Sequence, residues 1–277
     1  MASESWSSRV ASARLAAYLQ IAAAQIRAQA QYRVSFAVDV AGSVGFGFLD
    51  LAGVMVLFNV TRSIAGFTFT EVFLMMAIAN VGFAIADVVV GNVERLRVYV
   101  RTGLLDAVLV RPLGVLGQLA ATDVAPRRIG RLALSLAVVV VAVVQAGVTF
   151  TPAHVVLLVL APIAGAVIFA AIFIGTAAVA FWWIEAGELG NALTYGGHDF
   201  ATYPITIYGT IFRRTLAYGL GFAFVAYYPA LTVLDRPDPL GAPASLGYLS
   251  PVIAALVALA AAAVWRAGVR HYTSAGS

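Results

Sequence analysis

GNVERLRVYVRTGLLDAVLVRPLG, running from Gly91 to Gly114, breaks the apolar monotony of the first half of the chain with charge. Wound as one helix, it places Val93, Leu96, Val100, Leu104 and Ala107 on one side. Glu94, Arg97 and Arg101 fall on the adjoining flank at spacings of three and four. Leu105 and Val108 lie among the charges, so the separation is incomplete. Pro112 ends the helix, because it has no N–H to donate and turns Arg111 away from helical geometry. The expectation is an amphipathic helix at a membrane surface with a sharp stop, placed to receive force from a cytoplasmic partner. A solvated connecting helix is the plainer alternative.

The composition puts that stretch in a membrane protein. Of 277 residues, 62% are hydrophobic and 11% charged, against about a quarter charged in a soluble domain. Several apolar runs approach or exceed the ~20 residues that cross a bilayer as helix. They do not alternate apolar and polar, which argues against a membrane barrel. All seventeen basic residues are Arg. Without Lys there is no G-x-x-x-x-G-K-[ST] phosphate loop and no Schiff-base chemistry, so ATP hydrolysis by this chain is not expected. Without Cys there are no disulfides and no thiolate metal sites. The net charge of +4 fits membrane topology better than nucleic-acid binding.

Residues 1–33 are Ala-rich and carry Arg9, Arg14, Arg27 and Arg33 without a clean apolar core. They read as an interfacial helix rather than a cleavable signal. Spans are expected over Val34 to Val60, Thr70 to Val90, Ile129 to Val148, His154 to Phe181 and Tyr248 to Val264, with a cytoplasmic region over 91–128. Thirteen of the seventeen arginines lie before the first span, between Arg95 and Arg131, or after the last span. The positive-inside rule makes that side cytoplasmic, puts both termini there and makes the span number even, with six expected. The stretch from Trp182 to Asp235 admits two readings. Either Thr215 to Leu234 spans, or the polar segment Trp183 to Tyr203 does and Pro204 to Pro229 dips into the outer leaflet and returns. Irregular backbone at that depth is tolerable only under cover of protein or water.

Asp39 and Asp50 stand three helical turns apart, with Gly42 and Gly53 beside them. A carboxylate at mid-bilayer costs at least ~2.5 kcal/mol, so the stripe either lines a polar pathway or forms a packing face. Asp87, near the inner end of span 2, is expected to form a structural pair with an Arg of the adjoining amphipathic element, and Glu71 to be solvated at the outer end. Glu185, Glu188, Asn191, His198 and Asp199 line a cavity if their helix spans and form a wet face if it does not. His154, His198 and His271 lack metal-ligand spacing, so no metal site is expected. No nucleophile elbow or H-E-x-x-H occurs. Phe181, Trp182 and Trp183 mark one membrane boundary, and Tyr203, Tyr208, Tyr227 and Tyr228 suit the other.

The order of these segments resembles a known family. An amphipathic helix follows span 2; then come Gly103-Leu104-Leu105-Asp106 to Leu109-Val110-Arg111-Pro112-Leu113, Phe181-Trp182, Tyr203-Pro204 with Ile207-Tyr208, Ala223-Phe224-Val225 with Tyr228-Pro229-Ala230, and Tyr272 with Ser274-Ala275-Gly276. This is similar to the short six-span permease subunits of bacterial type-2 ABC exporters, over nearly the whole chain. The resemblance implies an all-α polytopic membrane protein, one permease domain over 1–277, in the bacterial cytoplasmic membrane. It implies a second permease, identical or related, and a separate ATPase that carries the ATP and Mg; no cofactor belongs to this chain. The coupling helix would contain Glu94, Arg97, Arg101, Asp106, Arg111 and Pro112. Asp39, Asp50 and the polar cluster of span 5 would line the passage. Pro204, Tyr208, Arg213, Arg214 and Pro229 would belong to the re-entrant region within 204–247. Gly196-Gly197 and the polarity of span 5 put its straightness in question. The rival class is an ion-coupled secondary transporter using Asp39, Asp50 and Asp87, although no inverted repeat is evident.

Overall fold

A computed structural model describes residues 33–122 and 125–273, together with 18, 20, 23 and 24. The expected interfacial helix before residue 33 and the Ser274 to Gly276 ending lie outside the described residues, as does the side chain of Asp50. Among the described residues there is no strand; one bridge, Ile64 with Phe67, closes the loop over residues 61–68.

The long helices are α1 (Arg33–Val60), α2 (Phe69–Val90), α6 (Pro126–Gln145), α7 (Pro152–Ala178) and α11 (Ser250–His271). Between α2 and α6 lie a 3-10 turn (Gly91–Arg95), α3 (Leu96–Arg101), α4 (Leu104–Leu109) and α5 (Val115–Thr122). After α7 come α8 (Gly187–Thr202), α9 (Thr210–Gly219) and α10 (Tyr227–Val233). Among the described residues, four stretches are long and apolar enough to cross a membrane: Phe69–Arg101, Arg127–Gln145, Pro152–Phe181 and Ser245–His271. The pair Thr210–Gly219 and Phe222–Val233 is bent by 66°. Helix α1 has 28 residues, or about 42 Å at ~1.5 Å per residue, against a hydrocarbon core of ~30 Å. Helix α8 has only 16 residues.

Helix α2 is the central mast. It is apolar on every side, the pattern of a helix with no solvent face, and 78% of its most apolar stretch is buried, against 17% in α6 and in α11. It packs on α7, α6 and α8. Gly82 lets the backbones of α2 and α7 touch, since a Cβ there would stand 3.1 Å from the carbonyl carbon of Gly165. Phe83 fills the adjoining space against Phe169, Phe173 and the His198 ring.

The outer loops are clasped. The Thr68 N–H donates to Glu71 Oε2 at 2.7 Å and so caps α2. Glu71, expected to be solvated, is instead ion-paired with Arg236. Arg236 also donates to the Gly66 carbonyl at 2.8 Å and lies 3.9 Å from the centre of the Phe67 ring. The loop after α10 thus fastens the loop before α2, a contact between segments far apart in sequence.

Helix α9 widens into π geometry over Arg213–Gly219 and breaks at Gly221, whose φ of +80° is left-handed. The chain then turns back into α10, where every residue is buried. Tyr227 and Tyr228 therefore face the protein interior and not its surface. Their hydroxyls are satisfied inside: Tyr227 donates to Asp238 Oδ1 at 2.6 Å, and the Tyr228 and Tyr218 oxygens lie 3.2 Å apart. Helix α8 runs unbroken through Gly196-Gly197. Gly197 is required because the Phe222 ring packs directly over its Cα.

Candidate functional site

The charged stretch after α2 is two short helices, not one. Gly103 adopts φ +70° between α3 and α4, a left-handed geometry that glycine accepts and other residues resist. The turn resets the helical phase. Val93, Leu96 and Val100 are buried as expected, but Leu104 and Ala107 are exposed. Leu105 is fully buried and Val108 half-buried in their place. The expected single face is corrected to two faces joined at Gly103.

Side chains from neighbouring elements lace this pair of helices to the bundle. Asn92 Nδ2 donates to the Leu119 carbonyl at 2.6 Å. Gln118 Nε2 donates to the carbonyls of Val108 and Leu113, at 3.0 and 2.9 Å, and holds the turn after α4. The Gly114 N–H donates to the Tyr18 hydroxyl at 2.9 Å. The Tyr272 hydroxyl donates to Asp106 Oδ1 at 3.1 Å, tying the end of α11 to α4. Arg101, Arg111 and Pro112 are exposed.

Two contacts connect the element to α8. The Tyr195 hydroxyl donates to Glu94 Oε2 at 3.3 Å. Arg97 Nη1 lies 3.7 Å from Glu188 Oε1. Gly187 opens α8 directly beneath the Arg97 guanidinium, where a Cβ would collide with it. Arg97 is thus engaged within the chain and is not simply a charge presented to a partner. A cavity of about 170 Å³ separates the two elements, and Glu94, Arg97, Asn191 and Thr194 line it. Glu94 Oε1 is buried there without a hydrogen-bond partner.

Asp87 is ion-paired as expected, but with two arginines from the start of α6 and not with one from the amphipathic element. Arg128 Nε lies 2.9 Å from Asp87 Oδ1, and Arg131 Nη1 lies 3.3 Å from Oδ2. The Asp87 and Arg128 side chains are only 6% and 9% exposed. Gly91 leaves the space they occupy, since a Cβ at that position would strike the Asp87 carboxylate.

The expected pathway residues come together in part. His198 Nε2 lies 2.7 Å from Asn80 Oδ1, and its Nδ1 lies 3.5 Å from Asp199 Oδ1. Arg131, His198 and Asp199 share one cavity. Glu185 is exposed in the turn before α8 and Glu188 in its first turn, Asn191 is half-buried beside the charged element, and Asp39 is exposed on α1. Among the described residues, nothing lies within 4 Å of where Gly42 or Gly53 would carry a Cβ, so they do not cover that stripe of α1. In the re-entrant set, Pro204 and Pro229 are buried, and Tyr208 stacks on Phe200 at 4.1 Å. Arg213 Nη2 lies 3.4 Å from Thr210 Oγ1, and Arg214 is exposed. Among the described residues no group of three His, Asp or Glu side chains is placed to hold a metal.

Asn80, Tyr195 and Arg131 escaped the sequence reading. Asn80 carried a signal, a lone amide in the middle of an apolar span. Tyr195 carried none, because its partner Glu94 is distant in the chain.

Comparison with known proteins adds one finding. The family model described as ABC-2 family transporter protein matches residues 45–276, well over half the chain. No curated protein and no solved structure matches. With its apolar helices and a charged element wired to them, the chain belongs to the ABC-2 transporter family, as a membrane permease subunit.

Proposed function

We infer that this permease serves an ATP-driven exporter that moves a small amphipathic molecule (a drug, an antibiotic or a lipid-like compound) out of a bacterial cell. A separate ATPase subunit, holding ATP and Mg, grips the inner element, and a second permease, identical or related, completes the passage. On this reading α1, α2, α6, α7, α8 and α11 are the six spans and the bent α9–α10 pair is re-entrant. Both termini are cytoplasmic.

The observation that carries the reading is the double tie between the inner element and α8, Tyr195 with Glu94 and Arg97 with Glu188. A push on α3 has a direct route to α8 and from there to the polar cavity around His198. Arg101 and Arg111, exposed on the same element, supply charge for a partner. Of the carboxylates in the ion-coupled alternative, Asp87 is ion-paired with Arg128 and Arg131, an arrangement that suits a structural role.

The test begins with copurification, where a vanadate-sensitive ATPase is expected to accompany the chain. Arg97→Glu is expected to cut export on the order of tenfold, a typical coupling energy. It should leave insertion and stability almost unchanged, because an exposed pair contributes little to folding. Adding Glu188→Arg should restore export by reversing the pair. Arg101→Glu should also uncouple, without rescue by Glu188→Arg. Normal export by Arg97→Glu would sink the proposed lever.

A further inference from the structure

Two hollows adjoin where α1, α2 and α6 meet, and α8 borders the inner one. The inner one, of about 190 Å³, is bordered by Asn80, Arg131, His198 and Asp199. The outer one, of about 330 Å³, is bordered by Phe48, Met55, Phe73 and Val141, with Gln145 the one polar side chain among the described residues that line it. Leu51, Leu134 and Val138 line both and form a shared waist.

The inner hollow presents both signs of charge. Asp87 is one carboxylate shared by two guanidiniums, with Arg128 at 2.9 Å and Arg131 at 3.3 Å. Arg131 is the more exposed of the two, 38% against 9%, and it borders the hollow. On the facing helix the Asp199 side chain is 81% exposed. His198 is pinned to Asn80 between them. Charges at this depth are costly unless water or a polar ligand covers them. The outer hollow needs the opposite cover, an apolar one. The distance from Arg131 to Val141 along α6 is about 15 Å at ~1.5 Å per residue, half of a ~30 Å hydrocarbon core and so the depth of one leaflet.

The geometry points to a binding site for a single-chain amphiphile with a zwitterionic head. The anionic group of the head pairs with Arg131, its cationic group faces Asp199, and its tail lies between α1 and α6 past the Leu134–Val138 waist. This names the substrate class for the export reading above and rests on that reading for the transport step after binding. On the orientation proposed there, the occupant points the same way as an inner-leaflet lipid, head inward.

Binding is measured with the full chain in maltoside micelles, without nucleotide or ATPase. The probes are lysophosphatidylcholine, an alkyl sulfate and an alkyltrimethylammonium of matched chain length. The wild type is expected to hold the zwitterion on the order of tenfold more tightly than either singly charged probe, one charge-assisted contact's worth. Asp199→Asn, a change at an exposed position, should raise the alkyl sulfate to the level of the zwitterion. Val138→Trp, at the waist, should abolish binding of all three. Equal binding of the three probes by the wild type, unchanged selectivity in Asp199→Asn, or undiminished binding by Val138→Trp each overturns the site. Selective binding without ATP-driven export would refute the export reading and leave the site standing. Export without head-group selectivity would do the reverse.

Discussion

Asp87, Arg128 and Arg131 show how a single carboxylate constrains the inner half of the bundle. With Asp87 and Arg128 almost fully buried, removing the carboxylate takes a buried counter-charge away from Arg128 and an ion-pair partner from Arg131. Asp87→Asn is expected to destabilise the protein by ~3–5 kcal/mol, the penalty for breaking a buried pair. Replacing Arg128 by Met as well should recover part of that loss. Thermal unfolding of the detergent-solubilised variants reads both effects, and an Asp87→Asn melt identical to the wild type would mean that the triad does not hold the bundle together. At this scale the sequence was half legible. It announced that Asp87 needs a cation, because an unpaired carboxylate is not tolerated there. It did not announce which one, because Arg128 and Arg131 arrive a whole cytoplasmic region later. Glu71 misled for the same reason: its partner Arg236 follows in the chain by more than half its length.

The inner element depends on Gly103 at the scale of local structure. Periodicity alone extends α3 through Leu104 and Ala107, but the left-handed turn sends Leu105 into the core instead. The clue was present, since a glycine just past a helix end is the common way to stop it. Gly103→Val should cost ~1–2 kcal/mol in a conformation that branched side chains resist, and should detach α4 from its Asp106–Tyr272 tie. Gly103→Asn should be tolerated far better, because Asn visits that region readily. Export and melting temperature measured side by side check this; equal behaviour of the two variants would mean the turn is dispensable. The polar helix α8 gave the opposite lesson. Gly196-Gly197 raised doubt about its straightness, yet Gly197 serves close packing with Phe222 and the helix stays whole.

For the whole molecule, the apolar runs were plain in the sequence and their ends fell close to the observed helices. Less legible was the fate of Thr215 to Leu234. Hydropathy sees one apolar run there, whereas the chain bends by 66° between α9 and α10, a turn made by Gly221 and the burial of Phe222 to Tyr228. The native chain has no Cys, so a single one is a clean reporter. Arg214→Cys, at an exposed position, is expected to react with an impermeant maleimide in intact cells, as the re-entrant arrangement requires. Protection until lysis would instead make that segment a full crossing.

The meeting of Gly82 with Gly165 bears on how the protein is made. The ribosome delivers α2 well before α7, because domains are synthesised from the N-terminus onward. Until α7 emerges, a mast designed for backbone contact has only acyl chains beside it, with a notch at Gly82 that no lipid tail matches as closely as another main chain does. Biogenesis therefore passes through an interval in which half of the joint waits in the bilayer, and a substitution at either glycine would be felt first there, as nascent protein lost to quality control before any cargo is moved.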